Sequence, residues 1–495
     1  MATTLVRTVI KELSKAEALQ MIRETPEQAA DLLVALTHSV NFLMGRVEEL
    51  TQKAAELEQR LAKNSSNSSK PPSSDGNSKP SPKSLRTKTG KKTGGQNGHP
   101  GDTLRQVEKP DEHVFHCPPT CTCGLSLEGA KIIHEERRQV FDIPKPALQV
   151  TEHCAQTKLC LCGHISVGQF PDDVGGRVQY GPNVKAMAVY LNQYHHLPYE
   201  RTCEVLAELF GVQISQGTLL NILSECHANL EASEAAAKAH IITSAVANFD
   251  ESGMRIGGKT LWVHSASTEK ATVYHADGHR GADAATAAGI LPHFKGTAIH
   301  DGWKPYFQFL CGHGLCNAHH LRELIFVEDV CHQFWAMEMR ELLLDIKQAV
   351  ETARSTGLVA LDANQHARFT KTYDTLIAIA YAVNPWKTPT GEPRRGRFKK
   401  PKALNLAERL DKQRDAVLLF MNDFTVPFDN NLAERDIRMV KLKQKVSGGF
   451  RSMPGAEMFC RIRGYVSTAR KNQIKVMSSL QLAFAKTPFL IAEGI

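Results

Sequence analysis

The stretch 244-SAVANFDESGMRIGGKTLWVHS-265 decides how the chain is read. A hydrophobic, strand-forming run stops on two adjacent acids, Asp250 and Glu251. Taken alone, such a step either closes a strand in solvent or holds a metal. The surrounding pattern separates the two readings. SAVANF, KTLWVHS and ATVYHA are short strand signals spaced by turn residues, the signature of an antiparallel meander. GADAATAAGIL follows as a helix, then the strand GTAIH ending at Asp301, a short strand GLCNA and a helical HHLRELIF. Three antiparallel strands, a helix, a fourth strand and another helix is the order of a ribonuclease-H-like α/β core. In that order the first and fourth strands are neighbours, so Asp250 and Asp301, each expected at a strand end, face one pocket.

A third acid lies far along the chain, in 426-VPFDNNLAERDIRMVKLKQKVSGGFRS-452. Asp429 and Asn430 resemble a helix cap, which places Glu434 in the first turns of a helix. Clustered carboxylates are the ligands that hard cations such as Mg2+ take. Two such ions about 4 Å apart can activate an attacking oxygen and stabilise a leaving one in phosphoryl displacement. Glu251, as the next residue along a strand, points to the opposite face and is expected behind the ligands or in solvent. In the last block Glu434, Arg438 and Lys441 or Lys445 recur about every helical turn. Two readings stand for its cations: a salt-bridged surface face, or Arg435, Arg438, Lys443 and Arg451 contacting DNA phosphates.

The 495 residues predict several domains, and 42% hydrophobic with 23% charged residues suits a soluble, globular chain. No apolar run is long enough for a transmembrane helix, and MATTLVRTVIKELSKAEALQ lacks a signal peptide's apolar core, so a cytoplasmic location, without membrane partners, is expected. The net charge of +8 permits nucleic-acid binding without demonstrating it. Leu33, Leu36, Val40, Leu43, Val47, Leu50, Ala54, Leu57 and Leu61 alternate spacings of three and four, an a/d repeat of about four heptads. That narrow seam predicts a coiled coil and a homo-oligomer; the alternative is an amphipathic helix packed on its own protein. The following 64-NSSNSSKPPSSDGNSKPSPKSLRTKTGKKTGGQNGHPG-101 has little to bury and is expected to be a disordered basic linker.

Twelve cysteines in a cytosolic chain point to metal ligands where they cluster. Two knuckles stand about forty residues apart, HCPPTCTCG with Cys117, Cys121 and Cys123, and CLCGH with Cys160, Cys162 and His164. Zinc ribbons join two such knuckles in one tetrahedral site. The next segment, 198-PYERTCEVLAELFGVQISQGTLLNILSEC-226, reads as a helix, a turn at Gly211 and a second helix capped by Ser215. That is a helix-turn-helix pattern, in which Gln216, Thr218 and Asn221 are the polar side chains available to base edges.

VANFDES, IHDGWKPYF, CNAHHLREL and DNNLAERDIR with KQKVSGGFRS together resemble the catalytic blocks of DDE transposases of the IS-sixty-six family of bacterial insertion sequences. The zipper helix, the SSKPPSSD linker, the GGQNGHPG turn and the cysteine segment extend the resemblance over most of the chain. It implies Asp250, Asp301 and Glu434 as catalytic acids holding Mg2+ or Mn2+, and DNA strand cleavage followed by strand transfer without a covalent enzyme intermediate. It implies double-stranded DNA, as element ends and as target, for partner, often with accessory proteins of the same element, and a cytoplasmic, nucleoid-associated setting. Cys316 and His319 match a Cys-x-x-His pair near the second acid; two residues cannot complete a tetrahedral site, so a supporting role is expected. The family's zinc segment usually carries C-x-x-C knuckles, whereas the closest pairs here are C-x-C, a poorer chelate. Zn2+ on Cys117, Cys121, Cys123, Cys160 and Cys162 is expected nonetheless, with His164 as a further donor and a degenerate site as the alternative.

The expected architecture is multidomain α+β: a helical, coiled-coil region at 1–63, the linker at 64–110, a zinc-binding-like domain at 111–177 and a helix-turn-helix-like region at 178–235. The ribonuclease-H-like core follows at 241–325, a helical insertion with the basic loop TPTGEPRRGRFKKPKAL at 326–425, and the core's C-terminal part at 426–495. A nuclease that cuts without joining, and a DNA-binding regulator without catalysis, are the competing functions.

Overall fold

A computed structural model describes residues 14–64, 67–68, 104–143, 146, 148–386 and 400–491. Most of the Ser/Pro/Gly-rich linker, and the basic loop up to residue 399, lie outside the described residues. The chain is mixed α/β and divides into two compact units, Met1–Pro82 with Gly314–Asp429, and Lys83–His313 with Asn430–Ile495.

In the first unit, α1 (Lys15–Glu24) starts on a capping box between Ser14 and Glu17, and α2 (Pro26–Leu61) starts on a proline whose missing N–H costs nothing there. The described seam residues of α2, from Leu33 to Leu61, are exposed.

The second unit opens with the cysteine segment. Its small hairpin, β1 (Thr157–Leu159) and β2 (Ile165–Val167), pairs Thr157 with Val167 and Leu159 with Ile165. Four helices follow: α3 (Pro182–Val189), α4 (Tyr199–Phe210), α5 (Gln216–Asn229) and α6 (Glu231–Thr243). Gly211 ends α4 in the left-handed conformation (φ 66°), and the Ser215 hydroxyl accepts the Thr218 N–H to start α5, as the sequence pattern predicts. Leu206, Leu219, Ile222, Leu223 and Cys226 of these helices share a core with Ile462, Tyr465, Val466 and Leu480 near the C-terminus.

The sheet is built from β3 (Val246–Ile256), β4 (Lys259–Ser267), β5 (Thr272–Asp277), β6 (Thr297–His300) and β7 (Gly312–Leu315), in the order β5-β4-β3-β6-β7. The helix α7 (Ala282–Ala287) lies between β5 and β6 in sequence. β3 runs antiparallel to β4 and parallel to β6, so the first and fourth strands of the core are neighbours, as expected. One expectation changes. β3 does not end at the acidic step but continues to Ile256, because β4 folds back through Gly257–Gly258 (φ 55° and 79°) and pairs with it along its length. Asp250 is therefore an interior strand residue opposite Ser265.

At β7 the chain passes into the first unit, whose helices α8 (Asn317–Cys331), α9 (Phe334–Ser355), α10 (Ala363–Val383), α11 (Lys402–Lys412), α12 (Arg414–Val417) and α13 (Leu419–Asn422) pack around Leu324, Trp335, Met339, Ile346, Tyr373 and Leu410. It returns to the second unit as α14 (Asn431–Ser447), α15 (Met453–Lys471) and α16 (Val476–Phe484).

Strand alternation sorts the sheet into two faces. Met254, Ile256, Val263 and Tyr274 lie under Ile437 and Val440 of α14 and Phe459 of α15. Ala247, Phe249, Ala266 and Val273 pack on the other side with Ile241, Phe294 and Tyr306. Among the described residues, no helix is long and apolar enough to cross a membrane.

Gly296, at the entry to β6, has backbone against it: a Cβ there would meet Ser244 O at 2.4 Å and Ala245 O at 2.5 Å. Gly296→Ala should therefore destabilise the protein by roughly 1–3 kcal/mol, read as a lower urea midpoint; an unchanged midpoint would refute this account of the approach.

Candidate active site

Asp250 has even parity in β3, so its side chain lies on the α14 face together with Asn248. Asp301 follows the last residue of β6, two residues beyond Ile299, which pairs with Asn248. Glu434 stands in the first turn of α14. What brings that turn to β3 is Asn430. Its side chain does not cap α14; its Nδ2 donates to Phe249 O at 2.7 Å, and its Oδ1 accepts from Asn248 Nδ2 at 2.8 Å. Both asparagines are buried. Further along, Asp436 accepts hydrogen bonds from Ser267 (2.7 Å), Thr272 (2.9 Å) and Lys471 (2.8 Å), which fixes the rotation of α14 on the sheet. Lys441 Nζ donates to Gly253 O.

The consequence is electrostatic. Desolvation, followed by the charges of Glu251, Glu434 and Asp301, holds the Asp250 carboxyl well above the ordinary carboxylate range. All three expected acids are thus brought into one field. Among the described residues their oxygens are not all within 4.8 Å of one another. Asp301 Oδ1 accepts the Trp303 N–H at 2.8 Å, and Glu434 Oε2 lies 3.4 Å from Arg438 Nη2. Hard oxygen donors crowded closely enough to raise one another form the kind of set that Mg2+ binds, so the residues fit the ion the resemblance implies.

Of the two settings expected for Glu251, its side chain takes the unsolvated one: it leaves on the opposite face and is 2% exposed. Burial, then the Asp301 charge, raises its carboxyl above the usual range, against hydrogen bonds from Tyr306 and Arg280.

The other candidate residues are distributed as follows. Arg435, Arg438 and Arg451 are exposed. Lys443 lies over the Phe450 ring (4.0 Å) and donates to Gly448 O, and burial pushes its ammonium down to about 8. Gln216 and Asn221 are exposed on α5, while the half-buried Thr218 meets Ser215 Oγ at 3.0 Å in the cap. Cys316 and His319 belong to the other unit: Cys316 is the buried N-cap residue of α8, and His319 donates its N–H to Cys316 O at 3.1 Å.

The two cysteine knuckles adopt the same turn. Cys121 N–H donates to Leu125 O and Gly124 N–H to Cys121 O; Cys160 N–H donates to His164 O and Gly163 N–H to Cys160 O. Gly124 and Gly163 have φ of 91° and 85°, which glycine adopts without strain. Hydrogen bonds from Cys123 and Cys162 lower the thiols of Cys121 and Cys160 respectively, favouring the thiolate that binds metal. Among the described residues, no three donors from the two knuckles lie within 4.8 Å of one another.

Sequence signals for the acids were readable; those for Asn248, Asn430 and Asp436 were not, because their roles exist only once α14 meets the sheet. Residues 177–458 match the family described as Transposase IS66 family, a span that contains Asp250, Asp301 and Glu434. Residues 8–105 match a family of unknown function (DUF6444). No curated protein matches the chain.

A raised acid holds its proton more tightly folded than unfolded. The stability it lends is complete below the ordinary carboxylate pKa and is lost as pH rises through its folded value. Asp250→Asn removes that loss, so in metal-free buffer it should raise Tm by a few degrees, about 2–4 °C per kcal/mol, at pH 7.5. The gain should fade toward pH 4. A melting series showing no pH-dependent gain would contradict the crowding of these acids.

Proposed function

The chain belongs to the Transposase IS66 family, and from that premise we propose that it cuts DNA at the ends of its element and joins the freed ends to target DNA. The observation that carries this reading is the single electrostatic cluster of Asp250, Asp301 and Glu434, supplied by two neighbouring strands and a helix pinned on them. The strand order β5-β4-β3-β6-β7 supports a ribonuclease-H-like core around it.

In this reading Asp250, Asp301 and Glu434 hold Mg2+ or Mn2+. The cation, when bound, supplies charge neutralisation at the scissile phosphate and activation of the attacking oxygen. The protein's own part is positional. β3 fixes Asp250, Asn430 sets the first turn of α14, and Arg438 is placed one helical turn beyond Glu434. Exposed Arg435, Arg438 and Arg451 contact DNA phosphates, where they orient the duplex without reading sequence. Lys443, held at Gly448 O, joins them at the edge of this face. Exposed Gln216 and Asn221, with Thr218, present α5 to base edges at the element ends. The matched knuckle turns support zinc on the thiols of Cys117, Cys121, Cys123, Cys160 and Cys162. Cys316 and His319 keep the supporting role that the resemblance implies for them.

Water first attacks the phosphodiester at the element end and breaks its P–O3' bond, releasing the element's 3'-hydroxyl and leaving a 5'-phosphate on the flank; that hydroxyl then attacks a target phosphodiester, whose own P–O3' bond breaks to release the target's 3'-hydroxyl. Asp301→Asn should abolish Mg2+-dependent cleavage while DNA binding, followed by gel shift, stays largely intact. Cleavage at the wild-type rate would defeat the assignment. Products that are cut but never joined would point instead to a nuclease of the same fold.

The exposed α2 seam is proposed to pair with a second copy as a coiled coil. Replacing Leu43 and Leu50 by Asp should convert the oligomer to monomer by light scattering, and a mass unchanged by the pair would remove the seam from assembly.

A further inference from the structure

We propose that Glu251, Arg280, Trp303 and Tyr306 form a clamp that sets the Asp301 carboxylate against β3, with Glu251 as the positioning residue at its centre. This rests on the reading of Asp250, Asp301 and Glu434 as the catalytic acids.

The requirement follows from the ladder. The last paired residues of β3 and β6 are Asn248 and Ile299, and β6 ends at His300. Two residues beyond that pair, Asp250 is still held in a strand by its pairing with Ser265. Asp301, at the same offset, lies beyond its strand and begins an irregular turn. Strand geometry therefore fixes one acid and leaves the other to side-chain contacts.

Glu251 supplies them from the opposite face of the sheet. Its Oε1 accepts from Arg280 Nη2 at 2.6 Å and Nε at 3.1 Å, and its Oε2 accepts the Tyr306 O–H at 2.6 Å. The Arg280 guanidinium lies 4.2 Å from the Trp303 ring centroid and 4.8 Å from that of Trp262. The backbone N–H of Trp303 in turn donates to Asp301 Oδ1. Both ends of the turn from Asp301 to Tyr306 are thus tied to one carboxylate on β3, directly at Tyr306 and through the stacked guanidinium at Trp303. The His300 ring stacks on Tyr306 at 4.6 Å and its Nδ1 accepts the Gly302 N–H at 3.0 Å, closing the turn from its other side. Glu251 is 2% exposed although Arg280 keeps 37%, and a carboxylate taken out of water is a costly way merely to fill space, since apolar residues of like volume serve as well. Orientation of Asp301 is what this one provides. With its oxygens engaged by Arg280 and Tyr306, Glu251 acts through Asp301 and not as a ligand itself.

The test uses the full-length chain with Mn2+ alone as probe, its affinity measured by electron paramagnetic resonance. Mn2+-dependent nicking of supercoiled plasmid is followed in parallel. Partners behind metal ligands typically affect affinity or activity by about 10–100-fold. Glu251→Gln and Arg280→Ala should each weaken Mn2+ binding about tenfold or more and lower kcat, with the Kd for DNA unchanged. Tyr306→Phe should act in the same direction, and Arg280→Lys should recover part of the loss. The pair Glu251→Gln with Arg280→Met leaves no unpaired buried charge; it should lose no more than either single change, the non-additivity expected of one coupled unit. Wild-type Mn2+ affinity and nicking in that folded double variant would overturn the clamp. So would Glu251→Gln matching Asp301→Asn while Arg280→Ala and Tyr306→Phe are silent, because Glu251 would then be a ligand. Asp301→Asn without effect would instead bring down the catalytic-acid reading on which the clamp depends.

Discussion

Carboxylates gathered beside one strand repel each other, and more so where water is scarce. The second unit is organised around holding such a group in place. Asp250 comes with β3, Asp301 with the end of β6, and Glu434 with α14, from positions almost two hundred residues apart in the chain. None of the three can be drawn in by mutual attraction. Their approach must come from contacts made elsewhere: the β3–β6 ladder, the Asn248–Asn430 bridge, and the Asp436 bonds that lock α14 on the sheet. Those hydrogen-bonded contacts supply the energy that offsets the repulsion, and a divalent cation would reverse its sign.

Strand alternation divides the labour around this group. Even-numbered residues of β3 place Asn248 and Asp250 toward α14, while odd-numbered ones place Phe249 and Glu251 toward the core that holds Tyr306. Two adjacent acids therefore serve two faces. One is offered to the cluster, and the other is neutralised by Arg280. A sheet can hold carboxylates at consecutive positions without fusing them into one site because successive side chains leave in opposite directions.

The helical region before the sheet and the last two helices share one core, through Leu219, Leu223, Ile462, Val466 and Leu480. The polar residues of α5 and the acids of the sheet are consequently carried by one compact unit, which the chain completes only after the helices α8–α13. For the proposed function this places the surface offered to element ends and the acids that act on them on a common support.

Much of this was legible in the sequence, and the reasons are physical. Periodicities of 2 and 3.6 are local properties, so the meander, the fourth strand, the turn at Gly211 and the Ser215 cap could be read from residues near one another. The identity of Asp250, Asp301 and Glu434 as candidates followed from strand order and from the resemblance of ordered blocks. The end of β3 was misjudged because a hydrophobic run marks burial, whereas strand length is set by the partner β4, which continues pairing to Lys259. Which of its two expected settings Glu251 takes was illegible for a related reason: alternation tells which way a side chain points, but not that Arg280 and Tyr306 wait there. Sequence by itself determined which residue types were available and on which face of each element they fall. Tertiary structure alone decided which distant partners meet those faces, because contacts such as Asn430 with β3 join segments whose separation along the chain leaves no local pattern.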